Sequence, residues 1–189
     1  MNNRKNAKKE FAPNICLECV KKDSGCCSSY PFIPLTIKDI ERIKKLGYKL
    51  EDFVLVQKYR KNMIDTSEKW WADGFVNHDK KKYKLTVKKK KDNSCVFLKQ
   101  GKGCTLGKNR PFVCKIYPFW VDSKGKVIYE RDEEKDCLLG KRNVPIKHAV
   151  EMIGEKRKLI KKYRKEIRKD CIENLDKSKI LVCSMIKQR

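Results

Sequence analysis

Hydrophobic positions recur at helical spacing shortly after the first cysteines of the chain. Ile37, Ile40 and Ile43 come after Thr36 at helical spacing, and Thr36 with Asp39 has the spacing typical of a capping box at a helix start. Gly47 is placed to end this helix. The pattern therefore predicts a helix that begins near Ile37.

A second apolar stripe runs through the C-terminal part of the chain. It extends from about Ile146 to Asn174, and the rest of that segment is mostly Lys and Arg. Gly154 weakens its first half by up to about 1 kcal/mol relative to alanine. The spacing predicts one long basic C-terminal helix.

Other segments carry strand signals. "KKYKLTV" alternates as a strand does, and "FWVDSKGKVIYE" predicts a hairpin that turns at residues 123–126. "LEDFVLVQKYR" predicts a helix, although its central "FVLV" also fits a buried strand. Residues 62–79 show no period and are interpreted as a loop. The mixture predicts an α+β fold: a small irregular domain with short strands, a hairpin and several helices.

Length and composition favour one domain. The 189 residues are 40% hydrophobic and 38% charged, which is compatible with a folded core. We expect a basic flexible arm over residues 1–14, a cysteine-cluster domain over residues 15–140, and a basic helical extension over residues 141–189 that packs on the domain or projects from it. No apolar run is long enough for a membrane span, and the start lacks a secretory signal, so we expect a cytoplasmic protein.

A cytoplasmic location changes the meaning of the ten cysteines. Thiols that cluster in a reducing compartment are more often metal ligands or redox groups than structural disulfides. Disulfides stay an alternative, because intracellular proteins of hyperthermophiles can be rich in them. We therefore expect bound metal to join the segments of this fold and to stabilise it.

Two blocks of cysteine supply the candidate ligands. A C-x-x-C turn brings two sulfurs to one ion, and four thiolates hold one zinc or one cubane cluster. Neighbouring side chains in extended chain point to opposite faces, so Cys26 and Cys27 would share an ion only at a sharp turn. Eight thiols allow two sites, or one site with redox or structural cysteines. The candidate ligands are Cys16, Cys19, Cys26, Cys27, Cys95, Cys104, Cys114 and Cys137.

The remaining cysteines and the histidines fit other roles. His78 and His148 lie outside both blocks, and we interpret each as an ordinary surface or core histidine. Cys171 and Cys183 fit burial as small apolar residues better than metal ligation.

The cysteine blocks resemble the YkgJ-like cysteine-cluster family, which is described as a zinc- or iron-chelating domain. The resemblance rests on "CLECVKKDSGCC", "IPLTIKDIERI", "CVFLKQGKGCTLGKNRPFVCKIYPF" and "CLLG", and it covers most of residues 15–140. Its most specific part is the pair Arg110-Pro111 before Cys114, in which proline fixes the chain and arginine offsets thiolate charge. The gap before the adjacent pair is longer than in the family pattern, so which of Cys26 and Cys27 ligates stays open.

The leading hypothesis is a metal-binding protein whose thiolates hold an iron–sulfur cluster of the [4Fe–4S] type or Zn²⁺, in a structural, redox or sensory role. We favour iron–sulfur because all the donors are sulfur and come from distant segments. The family also resembles the cysteine-rich part of flagellin lysine methylases, which implies an enzyme as an alternative. No Gly-rich cofactor loop supports that alternative in this sequence.

The formal charge of +24 gives a further alternative, a metal-stabilised module that binds nucleic acid or another polyanion. Eight lysines between Lys80 and Lys91 and the basic C-terminal helix would supply the contacts. A solvated charged surface is the plainer interpretation of both segments. Aromatic residues that could stack on bases, or that could simply pack in the core, are Trp70, Trp71, Tyr83 and Trp120.

Overall fold

The computed structural model describes residues 14–22, 27, 32–60, 74–122, 124–129, 137–142 and 144–187. Several sequence expectations lie outside these residues. They concern nearly all of the basic arm, the ligand candidate Cys26, the aromatic residues Trp70 and Trp71, and the turn residue Ser123.

Within the described residues the fold is α+β. The helices are α1 (Asn14–Lys21), α2 (Ile37–Lys44), α3 (Leu50–Phe53), α4 (Phe112–Ile116), α5 (Leu138–Lys141), α6 (Ile146–Met152), α7 (Arg157–Glu173) and α8 (Leu175–Lys187). The strands are β1 (Val54–Lys58), β2 (Val76–His78), β3 (Lys81–Val87), β4 (Leu98–Lys99), β5 (Gly103–Cys104), β6 (Phe119–Val121) and β7 (Val127–Tyr129). None of the helices described is long and apolar enough to cross a membrane.

An antiparallel three-stranded sheet in the order β1-β3-β2 forms one layer of the fold. Val54 pairs with Val87, and Val76 pairs with Tyr83. The "KKYKLTV" strand is confirmed as β3. In "LEDFVLVQKYR" only the first four residues are helical, and the chain then becomes β1, because its branched apolar side chains alternate into the core. β6 and β7 pair as the predicted hairpin.

The start of α2 follows its sequence prediction. The Thr36 hydroxyl accepts the Asp39 N–H at 3.1 Å, and the Asp39 carboxylate accepts the Thr36 N–H at 3.2 Å. These reciprocal bonds form the capping box. The helix ends at Lys44, and Gly47 follows with φ +92°, a conformation that favours glycine.

The long basic C-terminal helix is confirmed as α7, but its predicted start near Ile146 is wrong. Gly154 adopts φ +78°, which a right-handed helix cannot include, so α6 ends at Met152 and α7 begins at Arg157. The apolar stripe is nevertheless buried on both sides of the break, at Ile153, Ile160 and Ile167. The chain therefore bends at residue 154 while the same face continues to pack on the core.

Two hydrophobic clusters make up the described core. One joins α2, the three-stranded sheet and Val182 of α8, and it includes Cys95 with Cys27, Cys104 and Cys114 packed against it. The other joins α4, the β6–β7 hairpin, α6 and α7, and it includes Cys137 with Cys16 and Cys19 packed against it. The cysteines thus lie where the two clusters meet.

Candidate metal centre

Seven of the eight candidate ligands line one cavity, and the eighth, Cys26, is outside the described residues. The cavity has a volume of about 80 Å³. Its lining is otherwise mostly apolar, with Phe97, Tyr117 and Ile153 among the side chains, and Arg110 also lies in its wall. The thiols that line it are Cys16, Cys19, Cys27, Cys95, Cys104, Cys114 and Cys137.

Separate elements present these thiols. Cys16 and Cys19 belong to helix α1, whereas the sequence interpretation placed the C-x-x-C in a turn. Both thiols can still face one site, because residues three apart lie on the same face of a helix. Cys114 lies in α4, and Cys137 directly precedes α5.

The backbone fixes the other thiols relative to one another. The Cys95 N–H donates to the Cys27 carbonyl at 2.8 Å, which ties the two segments together. Cys104 pairs with Leu98 in the short β4–β5 ladder. Cys95 and Cys104 are therefore held by the two sides of one loop.

The thiols form two sets according to the hydrophobic cluster that each contacts. Cys114 interacts with Cys27, Cys104 and Cys95, and each interaction raises the pKa of Cys114. Cys27 also raises the pKa of Cys16, and it does so more than Cys19 does, so the thiols near the two clusters interact through Cys27. We name Cys27, Cys95, Cys104 and Cys114 the sheet-side set, and Cys16, Cys19 and Cys137 the hairpin-side set, after the hydrophobic cluster that each set contacts.

Burial dominates the acid–base behaviour of these thiols. It raises the pKa of Cys16 to about 11, of Cys104 to about 11 and of Cys95 to about 12. It also raises the pKa of Cys114 well above its ordinary value. Thiolates in this cavity therefore need a positive charge or hydrogen-bond donors to stabilise them.

The chain supplies backbone donors for two thiols of the sheet-side set. The backbone N–H of Phe97 bonds to Cys95, and the backbone N–H of Leu106 bonds to Cys104; each bond lowers the pKa of its thiol. In both cases the donor is two residues after the cysteine. Such N–H donors to sulfur orient metal-binding thiolates and stabilise their charge.

Arg110 brings a permanent positive charge into the cavity wall. Its Nη1 lies 3.8 Å from Cys16 Sγ, and its charge lowers the pKa of both Cys16 and Cys104. Glu155, from the α6–α7 connection, lies 4.0 Å from Arg110 Nη2. Arg110 Nε is buried and has no hydrogen-bond partner among the described residues. A buried guanidinium N–H without an acceptor suits a site that an anionic group fills.

Helix α2 holds the turn that carries Arg110. The Arg42 guanidinium donates to the Arg110 carbonyl at 2.9 Å and pairs closely with Asp39. The Asp39 carboxylate also accepts the Phe112 N–H at 3.0 Å. Sequence reasoning interpreted Asp39 only as a helix cap and missed this second role, for which no local signal exists.

The other candidates lie elsewhere. His148 is exposed, while His78 lies on β2 near Cys183 of α8. Cys171 lines a separate small cavity beside α2 and the three-stranded sheet. Among the described residues no three His, Cys, Asp or Glu side chains are gathered closely enough to hold one metal ion.

Comparison with known proteins adds a family to this geometry. A family model named CxxCxxCC, described as a "putative zinc- or iron-chelating domain", matches residues 15–138. Neither the curated proteins nor the solved structures gave a match. The matched region contains all seven thiols that line the cavity, and it ends before α6 and α7.

Proposed function

Because this chain belongs to the CxxCxxCC family of zinc- or iron-chelating domains, we propose that its cysteine cavity holds an iron–sulfur cluster of the [4Fe–4S] type. Metal binding as such follows from the family. The choice of iron–sulfur over zinc is ours, and the observation that carries it is the cavity itself, where seven thiols surround a common space.

The donor chemistry fits such a cluster. The donors on the cavity wall are thiol sulfurs, which select zinc or iron–sulfur centres over magnesium, calcium or manganese. The cavity volume of about 80 Å³ exceeds the roughly 10–15 Å³ that one water needs. There is therefore room for a group of several atoms, which can bridge thiols that, among the described residues, lie too far apart to hold a single metal ion.

The sheet-side set is the proposed ligand set. Within this set Cys114 interacts with each of the other three thiols, and two of the four already receive backbone N–H bonds. Arg110 would donate through its Nε–H, for which the described part of the chain offers no acceptor, and would offset part of the negative charge of the thiolates. When bound, such a cluster supplies one-electron chemistry or a structural crosslink.

A structural contribution follows directly from the position of the cavity. All four proposed ligands contact the first hydrophobic cluster, but Cys114 lies in α4, whose Ile116 belongs to the second, so the bound group would link the first cluster to α4. Binding free energy at such a site adds to the free energy of folding. A reducing compartment such as the cytoplasm would keep the thiols available for the metal.

Anaerobic purification followed by iron, zinc and acid-labile sulfide analysis tests this proposal. We expect a brown protein with about four iron and four sulfide per chain. We also expect its visible absorption to disappear on oxidation, together with its cooperative melting. A colourless folded protein with stoichiometric zinc and no sulfide would contradict the iron–sulfur proposal and support zinc in the same thiols.

A second candidate function, nucleic-acid binding, is favoured by helix α7. Its exposed face carries Lys158, Lys162, Lys165 and Lys169, spaced so that they lie along one side over about 16 Å. Phosphate groups of a nucleic acid are the partner that such a row of cations fits. A protein that holds a cluster could also bind nucleic acid through this surface.

The Lys80–Lys91 segment supports this function less well than α7 does. Lys84 is buried with 3% of its surface exposed, and it faces the rings of Phe75 and Tyr59. The ammonium groups of Lys88 and Lys90 bond to the backbone carbonyls of Glu51 and Leu98. Trp120 packs in the core, so it is not placed to stack on bases.

A further inference from the structure

A second cysteine site lies away from the metal cavity, where helix α8 packs on the β2–β3 hairpin. Cys183 Sγ is 3.5 Å from His78 Nδ1, and His78 Nε2 is 3.3 Å from the Asp79 carboxylate. Val182, fully buried, anchors this part of α8, while Cys183 and His78 are both half-buried. The thiol therefore remains within reach of small molecules from the solvent.

The order of the three groups is that of an activated nucleophile. A thiol lies within reach of an imidazole base, and a carboxylate orients the far side of the imidazole. Asp79 sits in the hairpin turn with φ +47°, and this backbone conformation places its side chain beside the ring. His78 is thus in position to accept the thiol proton when Cys183 reacts.

Positive charge surrounds this thiol. Lys80 and Lys81 are exposed at the hairpin turn, next to His78 and Asp79. Lys179 and Lys187 are exposed four residues before and after Cys183, which places them on the same side of α8, and Lys179 also pairs with Asp176. Cations gathered around a nucleophile raise the local concentration of anionic reagents.

We propose that Cys183 is a thiol–disulfide exchange site that reacts with small anionic disulfides, with His78 as the base. The Cys183 proton passes to His78 Nδ1, and the sulfur attacks one sulfur of the disulfide. A new bond joins Cys183 to that sulfur, and the old S–S bond breaks. The other half leaves as a thiolate, which takes up a proton from water or from the imidazolium. The small disulfide is the oxidant and Cys183 is oxidised.

This site is independent of the metal centre. Among the described residues that line the cysteine cavity, neither Cys183 nor His78 appears. Cys183 also lies beyond residues 15–138, which the family model matches. If the cluster proposal failed, the proposal of thiol–disulfide exchange at Cys183 would still stand, and the reverse is also true.

The test uses the full-length, metal-loaded protein and glutathione disulfide as the anionic reagent. Trypsin separates Cys183, in the peptide 180–187, from Cys171, in the peptide 170–177, so that mass spectrometry follows each thiol by itself. Cys171 is also half-buried and serves as the internal reference. We expect Cys183 to be modified about tenfold faster than Cys171, and His78→Gln to remove that difference.

Two further measurements separate activation from a change in folding. In His78→Gln the modification rate of Cys171 should stay as it is in the unchanged protein, which reports an intact C-terminal region. Lys80→Gln with Lys81→Gln should slow the reaction with glutathione disulfide several-fold but leave the reaction with uncharged hydroxyethyl disulfide unchanged. If Cys183 in His78→Gln reacts as fast as before, or if the two reagents respond equally to the lysine changes, the proposal is wrong.

Discussion

The carboxylate of Asp39 accepts a hydrogen bond at 3.0 Å from the backbone N–H of Phe112, a residue 73 positions later in the chain. The same carboxylate caps helix α2 through Thr36 and pairs with Arg42. Phe112 lies between Arg110 and Cys114, which both line the cysteine cavity. Asp39 therefore joins helix α2 to a wall of that cavity. Burial raises the pKa of Asp39, while Arg42 and the N–H donors lower it.

Replacing Asp39 should destabilise the fold strongly. Asp39→Ala leaves the N–H groups of Phe112 and Thr36 without their acceptor. It also removes the carboxylate that pairs with Arg42, and breaking such a buried pair costs about 3–5 kcal/mol. Urea unfolding of the metal-loaded protein would measure the loss. Glu41→Ala, on the exposed side of the same helix, should change stability by no more than about 1 kcal/mol. Similar losses for both variants would show that Asp39 does not hold the two segments together.

Asp39 makes one bond to a neighbour in sequence, Thr36, and one to the distant Phe112, and only the first could be predicted from the sequence. The capping box was predictable because its two residues are three positions apart, and the β6–β7 hairpin was predictable for the same local reason. The bond from Phe112 to Asp39 depends on the whole fold, so no local pattern indicates it.

In the candidate site, too, some features follow from the local sequence and others depend on the whole fold. Cysteine identity and spacing selected the thiols that meet at the cavity. The division into two sets, the place of Ile153 in the cavity wall and the contact of Glu155 with Arg110 emerge only when distant segments pack. Lys84 makes the same point, because in the sequence it is one lysine of a basic run, whereas in the fold it lies beneath two aromatic rings.

Lys84 should make stability depend on pH. Burial lowers its pKa from 10.5 to about 7 in the folded protein. Between these values the unfolded chain binds the proton and the folded protein does not, so the contribution of Lys84 to stability should rise with pH from about 7 to 10.5. Each pKa unit corresponds to about 1.4 kcal/mol, so the gain over this window amounts to several kcal/mol.

Lys84→Met should remove this dependence on pH. Urea unfolding midpoints measured across the window would show a smaller rise with pH in Lys84→Met than in the unchanged protein. Lys81→Met, an exposed change on the same strand, should leave the rise intact. A slope in Lys84→Met equal to that of the unchanged protein would mean that Lys84 keeps its proton when buried.

The nucleic-acid function predicts a dependence on salt. Binding of duplex DNA should weaken as salt increases, with a log–log slope of about −0.9 for each neutralised phosphate. Replacing Lys158, Lys162, Lys165 and Lys169 by glutamine should flatten this slope, which filter binding at several salt concentrations would measure. Replacing the four lysines 88–91 should have a smaller effect, because Lys88 and Lys90 are engaged at backbone carbonyls. Absence of salt-dependent retention in the unchanged protein would leave α7 as a solvated surface.

The two thiol sets predict different consequences of removing a cysteine. Cys104 belongs to the sheet-side set, where it interacts with Cys27 and receives the Leu106 N–H. Cys137 belongs to the hairpin-side set, and Cys171 lies at a separate small cavity. If the sheet-side set holds the metal, Cys104→Ser should abolish metal binding. Cys137→Ser should retain at least about half of the metal, and Cys171→Ser should retain all of it.

Metal analysis of the three serine variants, purified anaerobically side by side, decides between one centre and two. A centre that needs four thiolates fails when one of them becomes a poorer hydroxyl ligand, whereas a centre that does not use the residue keeps its metal. Complete loss in Cys104→Ser with full retention in Cys137→Ser would indicate one centre in the sheet-side set. Loss of half in each would indicate two centres, the second completed by a cysteine beyond the seven that line the cavity. Equal and complete loss in both variants would contradict the division into sets, because all seven thiols would then act as one site.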